Sequence, residues 1–274
     1  MTVIATNTSA NSAIFYLNKN SASQSQDITQ LASGSKITSA MSDPSGLAIA
    51  TGMSSDAAVL QQSSTNLQDG TAVLNTADGA YSNISDILTQ MKTLTAQAQS
   101  GSSSSTDLGY INTEFQALLS EVDGIASNTK FNGTALLASG GTYTSGVNFM
   151  VGTASTDTIQ VKLNAADSTT LGINSLAITD TTSAANAMAT LDTAISDIST
   201  DRANVGALLQ RMSFRGNVIN TSLQNLDSAK SSIEDTDIAA TQAKFSTDQT
   251  LTSAAVSALS DANQMNQQIL KLLG

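Results

Sequence analysis

Residues 188–233 read MATLDTAISDISTDRANVGALLQRMSFRGNVINTSLQNLDSAKSSI, and this stretch decides the fold. Taken in steps of three and four from Met188 to Ile233, eleven of fourteen positions are apolar, and no proline interrupts them. Such spacing places the apolar side chains on one face of a single helix. At about 1.5 Å per residue this helix would be roughly 70 Å long. An ordinary bundle helix is the alternative, but the length favours a rod built with partner helices of similar length.

The first partner helix is predicted to begin at Asp43 and Pro44. Asp43 can accept hydrogen bonds from free amides of the first turn, and proline suits the first helical position. A seven-residue repeat follows, which is typical of a left-handed supercoil. Its two apolar positions are Met53, Leu60, Leu67, Leu74, Tyr81 and Leu88, and Ala77, Ile84, Met91 and Ala98. The Ser-rich segment 100–106 ends this helix.

Two further regions complete the middle of the chain. Apolar residues at three-four spacing from Leu108 to Ile125 predict a shorter helix that folds back and ends near Asn128. From about residue 134 to 180 the chain is rich in Gly, Thr and Ser, and the run 159–163 alternates between apolar and polar side chains. We predict short strands there in one or two hairpins; a disordered loop is the alternative.

The two ends of the chain carry weaker helical patterns. Residues 2–40 have sparse apolar positions, and the stripe of residues 238–272 is built largely of alanine. Neither segment would be stable as an isolated helix. We therefore predict that the ends pair with each other. The predicted fold is mainly α: a long antiparallel helical bundle or coiled-coil rod with a small β-hairpin region, and termini paired as a second coiled coil.

Composition excludes several classes of function. The formal net charge is −11, with only 11 Lys and Arg residues that lie scattered along the chain. Nucleic-acid binding needs a basic surface, which is missing, and an anionic membrane is a poor partner for the same reason. The sequence contains no cysteine and no histidine. Disulfides, thiolate metal sites and the commonest general base are therefore excluded.

No catalytic, cofactor-binding or metal site is predicted. The acidic group Glu234, Asp235 and Asp237 is best interpreted as solvated charge at a helix start, and the Gly-rich segment 139–141 lacks the lysine of a phosphate loop. No apolar run reaches the length of a membrane span. The N-terminal residues have neither the basic region nor the apolar core of a secretory signal peptide, so we expect the protein to be retained or exported by a different route.

Several short motifs stand toward the two ends of the chain. Near the N-terminus they are LASGSKITSA at 31–40, GLAIA at 46–50, DG at 69–70, ADGA at 77–80 and TKFNG at 129–133. Toward the C-terminus they are GAL at 206–208 with Arg211, IEDTD at 233–237, ANQ at 262–264 and LL at 272–273. Each motif alone is weak, but their order at both ends of one chain resembles that of the bacterial flagellin family and is specific to it.

The resemblance implies a structural subunit that polymerises into the flagellar filament, leaves the cell through the flagellar type III apparatus, and is not an enzyme. It implies five segments: 1–42 and 236–274 as the two halves of an inner coiled coil, 43–133 and 181–235 as rod helices, and 134–180 as an outward hairpin region. The alternative is a hook-filament junction protein, which shares the terminal helices. The short hairpin region and the C-terminal motifs favour the filament subunit.

The implied partners are other copies of this chain, other flagellins, hook-associated junction and cap proteins, and an export chaperone. No cofactor is implied. The expected self-assembly residues lie on the apolar stripes of the two ends. They are Ile4, Ile14, Leu17, Ile28, Leu31, Leu251, Ala255, Ala258, Ala262, Met265, Ile269 and Leu272.

The face at 89–96 departs from the family pattern. Many flagellins present an arginine-rich version of it to an innate-immune receptor. Gln90 here occupies an arginine position, although Leu94 and Glu114 are kept and Lys92 keeps a charge nearby. Because guanidinium offers planar, multidentate hydrogen bonding that an amide lacks, the resemblance implies a receptor face of weakened affinity.

Overall fold

A computed structural model describes residues 6–100 and 103–273, without the side chains of 269, 270, 272 and 273. The helices are α1 (Thr8–Ser33), α2 (Pro44–Gln99), α3 (Ser105–Asn128), α4 (Thr142–Ser145), α5 (Thr181–Glu234) and α6 (Ile238–Leu273). The strands are β1 (Lys130–Phe131), β2 (Thr134–Ala135), β3 (Val147–Met150) and β4 (Thr158–Val161). The chain forms two compact units. One contains residues 56–224, and the other contains 1–55 with 225–274.

In the unit of residues 56–224, α2 and α5 run antiparallel. Arg202 Nε donates to Asp78 Oδ1 at 3.0 Å, and Lys92 forms an ion pair with Asp192 nearer the other end. Both predicted heptad positions of α2 are buried from Leu60 to Ala98, while Met53 is half-buried. Every position of the α5 stripe from Met188 to Ile233 is likewise buried or half-buried. The mainly α fold with long antiparallel helices is confirmed.

The segment after β4 packs on α3. Gln116 Nε2 donates to the Leu176 carbonyl at 2.8 Å, and Asn112 Oδ1 accepts from the Ile178 amide at 2.8 Å. Asp123 accepts from both the amide and the hydroxyl of Ser168. Side chains of α3 therefore satisfy backbone groups of a segment that has no regular structure, which is how such a segment can be buried.

The structure has two small hairpins; β3 and β4 lie inside the predicted β region of residues 134–180, whereas β1 lies just before it. β3 and β4 pair antiparallel, with Phe149 opposite Ile159. β1 and β2 enclose Asn132 and Gly133, whose φ angles of 47° and 77° are those of a tight hairpin turn. The loop after β3 is anchored by Arg215, whose Nε donates to the Val151 carbonyl at 2.8 Å. The prediction of strands rather than a disordered loop is confirmed.

The first turn of α5 is capped by Asp180, the residue directly before the helix. Its Oδ1 accepts from the amides of Thr182 and Ser183, both at 2.8 Å, while the Ser183 hydroxyl accepts from the Asp180 amide at 3.0 Å. The hydrogen bonds that the carboxylate accepts lower the pKa of Asp180, and the one from the Ser183 amide contributes most. A carboxylate at this position accepts hydrogen bonds from free amides of the first turn, and its negative charge interacts favourably with the positive end of the helix dipole.

The other unit contains the paired ends of the chain. α1 and α6 pack along each other, and two cross-helix hydrogen bonds show that they run antiparallel. Asn7 Nδ2 donates to the Ala262 carbonyl at 3.0 Å, and Lys244 Nζ donates to Asp27 Oδ1 at 2.7 Å. The predicted pairing of the two termini is confirmed.

Candidate functional site

The inner face of α1 follows a three-four spacing. At this spacing Ala10 and Asp27 are buried, and the other positions from residue 13 to residue 31 are half-buried. These half-buried positions are Ala13, Leu17, Asn20, Gln24 and Leu31. Of the residues expected to mediate self-assembly, Leu17 and Leu31 therefore contribute to pairing within the chain. Ile4 lies outside the described residues.

The inner face of α6 is shifted relative to the predicted stripe. Its members are Thr241, Phe245, Asp248, Thr252, Ala255, Leu259, Ala262 and Asn266, which are buried or half-buried. Of the predicted stripe, only Ala255 and Ala262 belong to this face. Leu251, Ala258 and Met265 are exposed, and the side chains of Ile269 and Leu272 lie outside the described ones. The structure thus places both polar and apolar residues between the helices, Phe245 and Leu259 among them, and leaves Leu251 and Met265 outside.

Exposed apolar side chains line the outer surface of the pair. Phe15 and Tyr16 are 65% and 56% exposed and contact each other edge to face with ring centroids 5.5 Å apart. Ile14, Ile28, Leu251, Val256 and Met265 are also exposed. A protein in water seldom exposes this many large apolar residues on two helices unless they contact another molecule.

Two segments from opposite ends of the sequence, 31–40 and 233–237, form hydrogen bonds with each other next to the end of α1 and the start of α6. The Lys36 amide donates to the Glu234 carbonyl at 2.6 Å, and the Thr236 amide donates to the Gly34 carbonyl at 3.0 Å. Gly34 ends α1 with a φ of 71°, a conformation that glycine adopts without steric cost. The segments 31–40 and 233–237 therefore form one short junction. Their sequences alone gave no signal of this contact.

The expected receptor face is only partly exposed. Gln90 and Glu114 lie on the surface of α2 and α3, and their side chains are 3.5 Å apart at the closest polar atoms. Lys92 is engaged in the ion pair with Asp192. Leu94 is buried at 8% exposure, so its side chain belongs to the helix packing and not to the exposed face.

The described part of the chain offers little else to bind a small ligand or ion. Among the described residues, no three carboxylates lie together as metal ligands would, and no described helix has the length and hydropathy to cross a membrane. A surface groove of about 420 Å³ lies between the β3–β4 hairpin and α5.

Two family models match the chain. The bacterial flagellin N-terminal helical region matches residues 4–142, and the bacterial flagellin C-terminal helical region matches residues 188–273. A flagellin of Listeria monocytogenes is 34% identical over 272 residues, which cover 94% of both chains.

Solved structures give the same result at the level of the fold. A Bacillus cereus flagellin is 33% identical with a TM-score of 0.51, covering 61% of this chain and 94% of that one. A structure described as a putative flagellar hook-associated protein of Vibrio parahaemolyticus has a TM-score of 0.61, covering 71% of this chain and all of that one, at only 12% identity. This last likeness concerns the fold alone.

Proposed function

The chain belongs to the bacterial flagellin family, and from that premise we propose how it serves as a subunit of the flagellar filament in swimming motility. Members of this family are structural filament proteins and not enzymes, and they polymerise into the extracellular flagellum. The proposal concerns the surfaces used: α1 and α6 pair within each subunit, and the outer surface of that pair contacts neighbouring copies.

The observation that carries this proposal is the exposure of large apolar side chains on α1 and α6. Phe15, Tyr16, Val256 and Met265 are each more than half exposed. Burying apolar surface contributes about 25 cal/mol per Å², so several such side chains covered in every subunit would supply much of the free energy of assembly. Leu17, Leu31, Ala255 and Ala262 would instead hold each pair together.

The division of the chain into five segments follows from this proposal. Residues 1–42 and 236–274 would line the interior of the filament, 43–133 and 181–235 would form the surrounding layer, and 134–180 would face outward. Export through the flagellar type III apparatus, an export chaperone, and contacts with junction and cap proteins or with other flagellins belong to the same proposal. All are supported by family membership.

We further propose that Gln90 and Glu114 form a weakened contact site for the innate-immune receptor. Both side chains are exposed and adjacent. An amide at position 90 can donate a hydrogen bond but carries no charge. Burial of Leu94 and the ion pair of Lys92 reduce the contacts that this face can offer.

The alternative, a hook-filament junction protein, has one observation in its favour, the fold shared with the Vibrio structure. That likeness, at 12% identity, does not distinguish the two roles. The Listeria flagellin matches along 94% of its length at 34% identity, which supports the filament subunit.

Truncation tests the proposed surfaces. We expect a protein that lacks residues 238–274 to form a soluble monomer that does not add to fragments of filaments made from the complete chain. Electron microscopy and sedimentation of the seeded mixture measure this. As a matched control, a protein lacking residues 153–156 of the β3–β4 loop should still elongate the seeds. If the truncated protein elongates them as well, α6 is not required for assembly.

A further inference from the structure

A buried carboxylate, that of Asp201, lies where α2, α5 and the segment after β4 meet. Asn164, three residues after the end of β4, donates from Nδ2 to Asp201 Oδ1 at 2.5 Å. The carbonyl of the same asparagine accepts from the Tyr81 hydroxyl of α2 at 2.6 Å. Tyr81 is fully buried, and Asp201 is only 8% exposed. One residue of the segment after β4 is therefore hydrogen-bonded to both long helices.

The described ion pairs provide no cation for Asp201. Arg202, the next residue on α5, is paired with Asp78 of α2 instead, its Nε donating to Oδ1 at 3.0 Å. Lys162, in the segment after β4, is exposed and belongs to none of the described ion pairs. One turn before Asp201 on α5 stands a second carboxylate, Asp197. Asp201 thus has a neutral amide as its donor and a like charge nearby.

Burial and repulsion favour the neutral form of Asp201. Burial has the largest effect on its pKa and raises it, the hydrogen bond from Asn164 lowers it, and the charge of Asp197 raises it further, so that the pKa lies above its usual value. Burial and, second, the charge of Asp201 raise the pKa of Tyr81, so the tyrosine hydroxyl keeps its proton and remains a donor.

The sign of the pH dependence follows from this shift. A carboxyl group whose pKa is raised on folding contributes stability that is fully present below its unfolded pKa of about 3.9. That contribution is lost as the pH rises through the raised pKa of the folded state. Asp201 therefore stabilises the fold in acid and opposes it at neutral pH, which is opposite to the effect of Asp180.

We propose that Asp201 makes the unit of residues 56–224 sensitive to pH, because its contact with the segment after β4 is stronger in mildly acidic water than at neutral pH. When the carboxyl group takes up a proton, the buried charge and its repulsion by Asp197 disappear, while its carbonyl oxygen can still accept from Asn164. The inference goes beyond the proposed function, since it concerns the interior of one subunit and requires no contact between copies.

A neutral isostere tests the inference. Asp201→Asn carries no charge and keeps an acceptor for the Asn164 amide. In the full-length monomer we expect it to raise the thermal unfolding midpoint by at least about 2 °C at pH 7.5, and to leave it within about 1 °C of wild type at pH 3.5. Melts are followed by near-ultraviolet circular dichroism, because the buried tyrosines, Tyr81 and Tyr143, both belong to this unit.

Two further variants separate the buried charge from a general effect. Asp86→Asn, the same substitution at an exposed position of α2, is the matched control and should leave the midpoint within about 1 °C at both pH values. Asp197→Asn should raise the midpoint at pH 7.5 in the wild-type chain. In the Asp201→Asn background it should not, because the repulsion that it removes no longer exists there.

Three results would overturn the inference. They are no gain from Asp201→Asn at pH 7.5, a gain of the same size at pH 3.5, and an equal gain in Asp86→Asn. Should Asp201→Asn fail to fold, Asp197→Asn decides the question on its own. A midpoint equal to that of wild type at pH 7.5 would then show that no unfavourable charge is held at position 201.

Discussion

At the scale of single residues, the proposed weakened receptor site depends on Gln90. Its side chain is exposed on α2, and its Nε2 donates to Glu114 Oε1 at 3.5 Å. Two neighbouring side chains already take part in the fold: Lys92 forms an ion pair with Asp192, and Leu94 is buried. A receptor that approaches this face therefore meets an amide and a carboxylate, with no exposed guanidinium between them.

We expect Gln90→Arg to increase receptor activation by dilute monomer about tenfold or more, since arginine is enriched among residues that dominate interface energetics. A receptor-reporter assay measures the half-maximal concentration. The matched control is Gln61→Arg, another exposed glutamine of α2, which should change nothing. No gain from Gln90→Arg, or a wild-type protein as potent as an arginine-bearing flagellin, would contradict the weakened-site proposal.

At the scale of elements, the first turn of α5 depends on one carboxylate. Asp180 accepts hydrogen bonds from two first-turn amides, and these lower its pKa. A carboxyl group whose pKa is lowered on folding stabilises the folded state above its unfolded pKa of about 3.9. This contribution is lost as the pH falls through the lowered pKa.

We therefore expect Asp180→Ala to lower the thermal unfolding midpoint by about 2–4 °C at pH 7, with a smaller difference at pH 2.5. Calorimetry of the monomer at the two pH values measures both. Asp180→Asn keeps an acceptor for the amides without the charge, so it should lie between wild type and alanine. Equal losses for Asp180→Ala at both pH values would show that the charge does not contribute.

At the scale of the whole molecule, the chain separates into a unit with a dense apolar interior and one that is largely exposed. Residues 56–224 contain the heptad positions of α2, the inner face of α3 and the anchored β3–β4 hairpin. Among the described residues, the largest fully buried side chains all belong to this unit, and they include Tyr81, Phe115 and Leu191. The paired ends contribute mainly small or polar residues to their contact.

This difference predicts that a fragment of residues 56–224 folds without the rest of the chain. We expect a cooperative thermal transition by circular dichroism, a monomer in sedimentation and no elongation of seeds. Phe115→Ala in the same fragment should abolish or sharply lower the transition, because truncating a buried phenylalanine costs about 3–5 kcal/mol. A fragment that melts without cooperativity, or polymerises, would contradict this division of roles.

The short helix α4 was not predicted, but the five longer helices and the buried faces of α2 and α5 could be predicted from the sequence. These properties follow from local periodicity, because a helix brings residues three and four positions apart onto one face. The order of motifs also determined the family. On the terminal helices the pattern was weaker, since alanine and polar residues carry little signal about which face is inside.

Contacts between residues far apart in sequence could not be predicted from local patterns. Asp27 and Lys244 are 217 positions apart, and the segments 34–36 and 234–236 meet only because both ends fold back. The inner face of α6 differs from the stripe predicted from sequence, because that stripe was drawn from the apolar spacing of α6 alone. Leu251 and Met265 instead lie outside, where the proposed assembly would cover them. Which face of α6 lies inside depends on its register with α1 and, in the proposed assembly, on neighbouring subunits. Neither can be predicted from the periodicity of α6 alone.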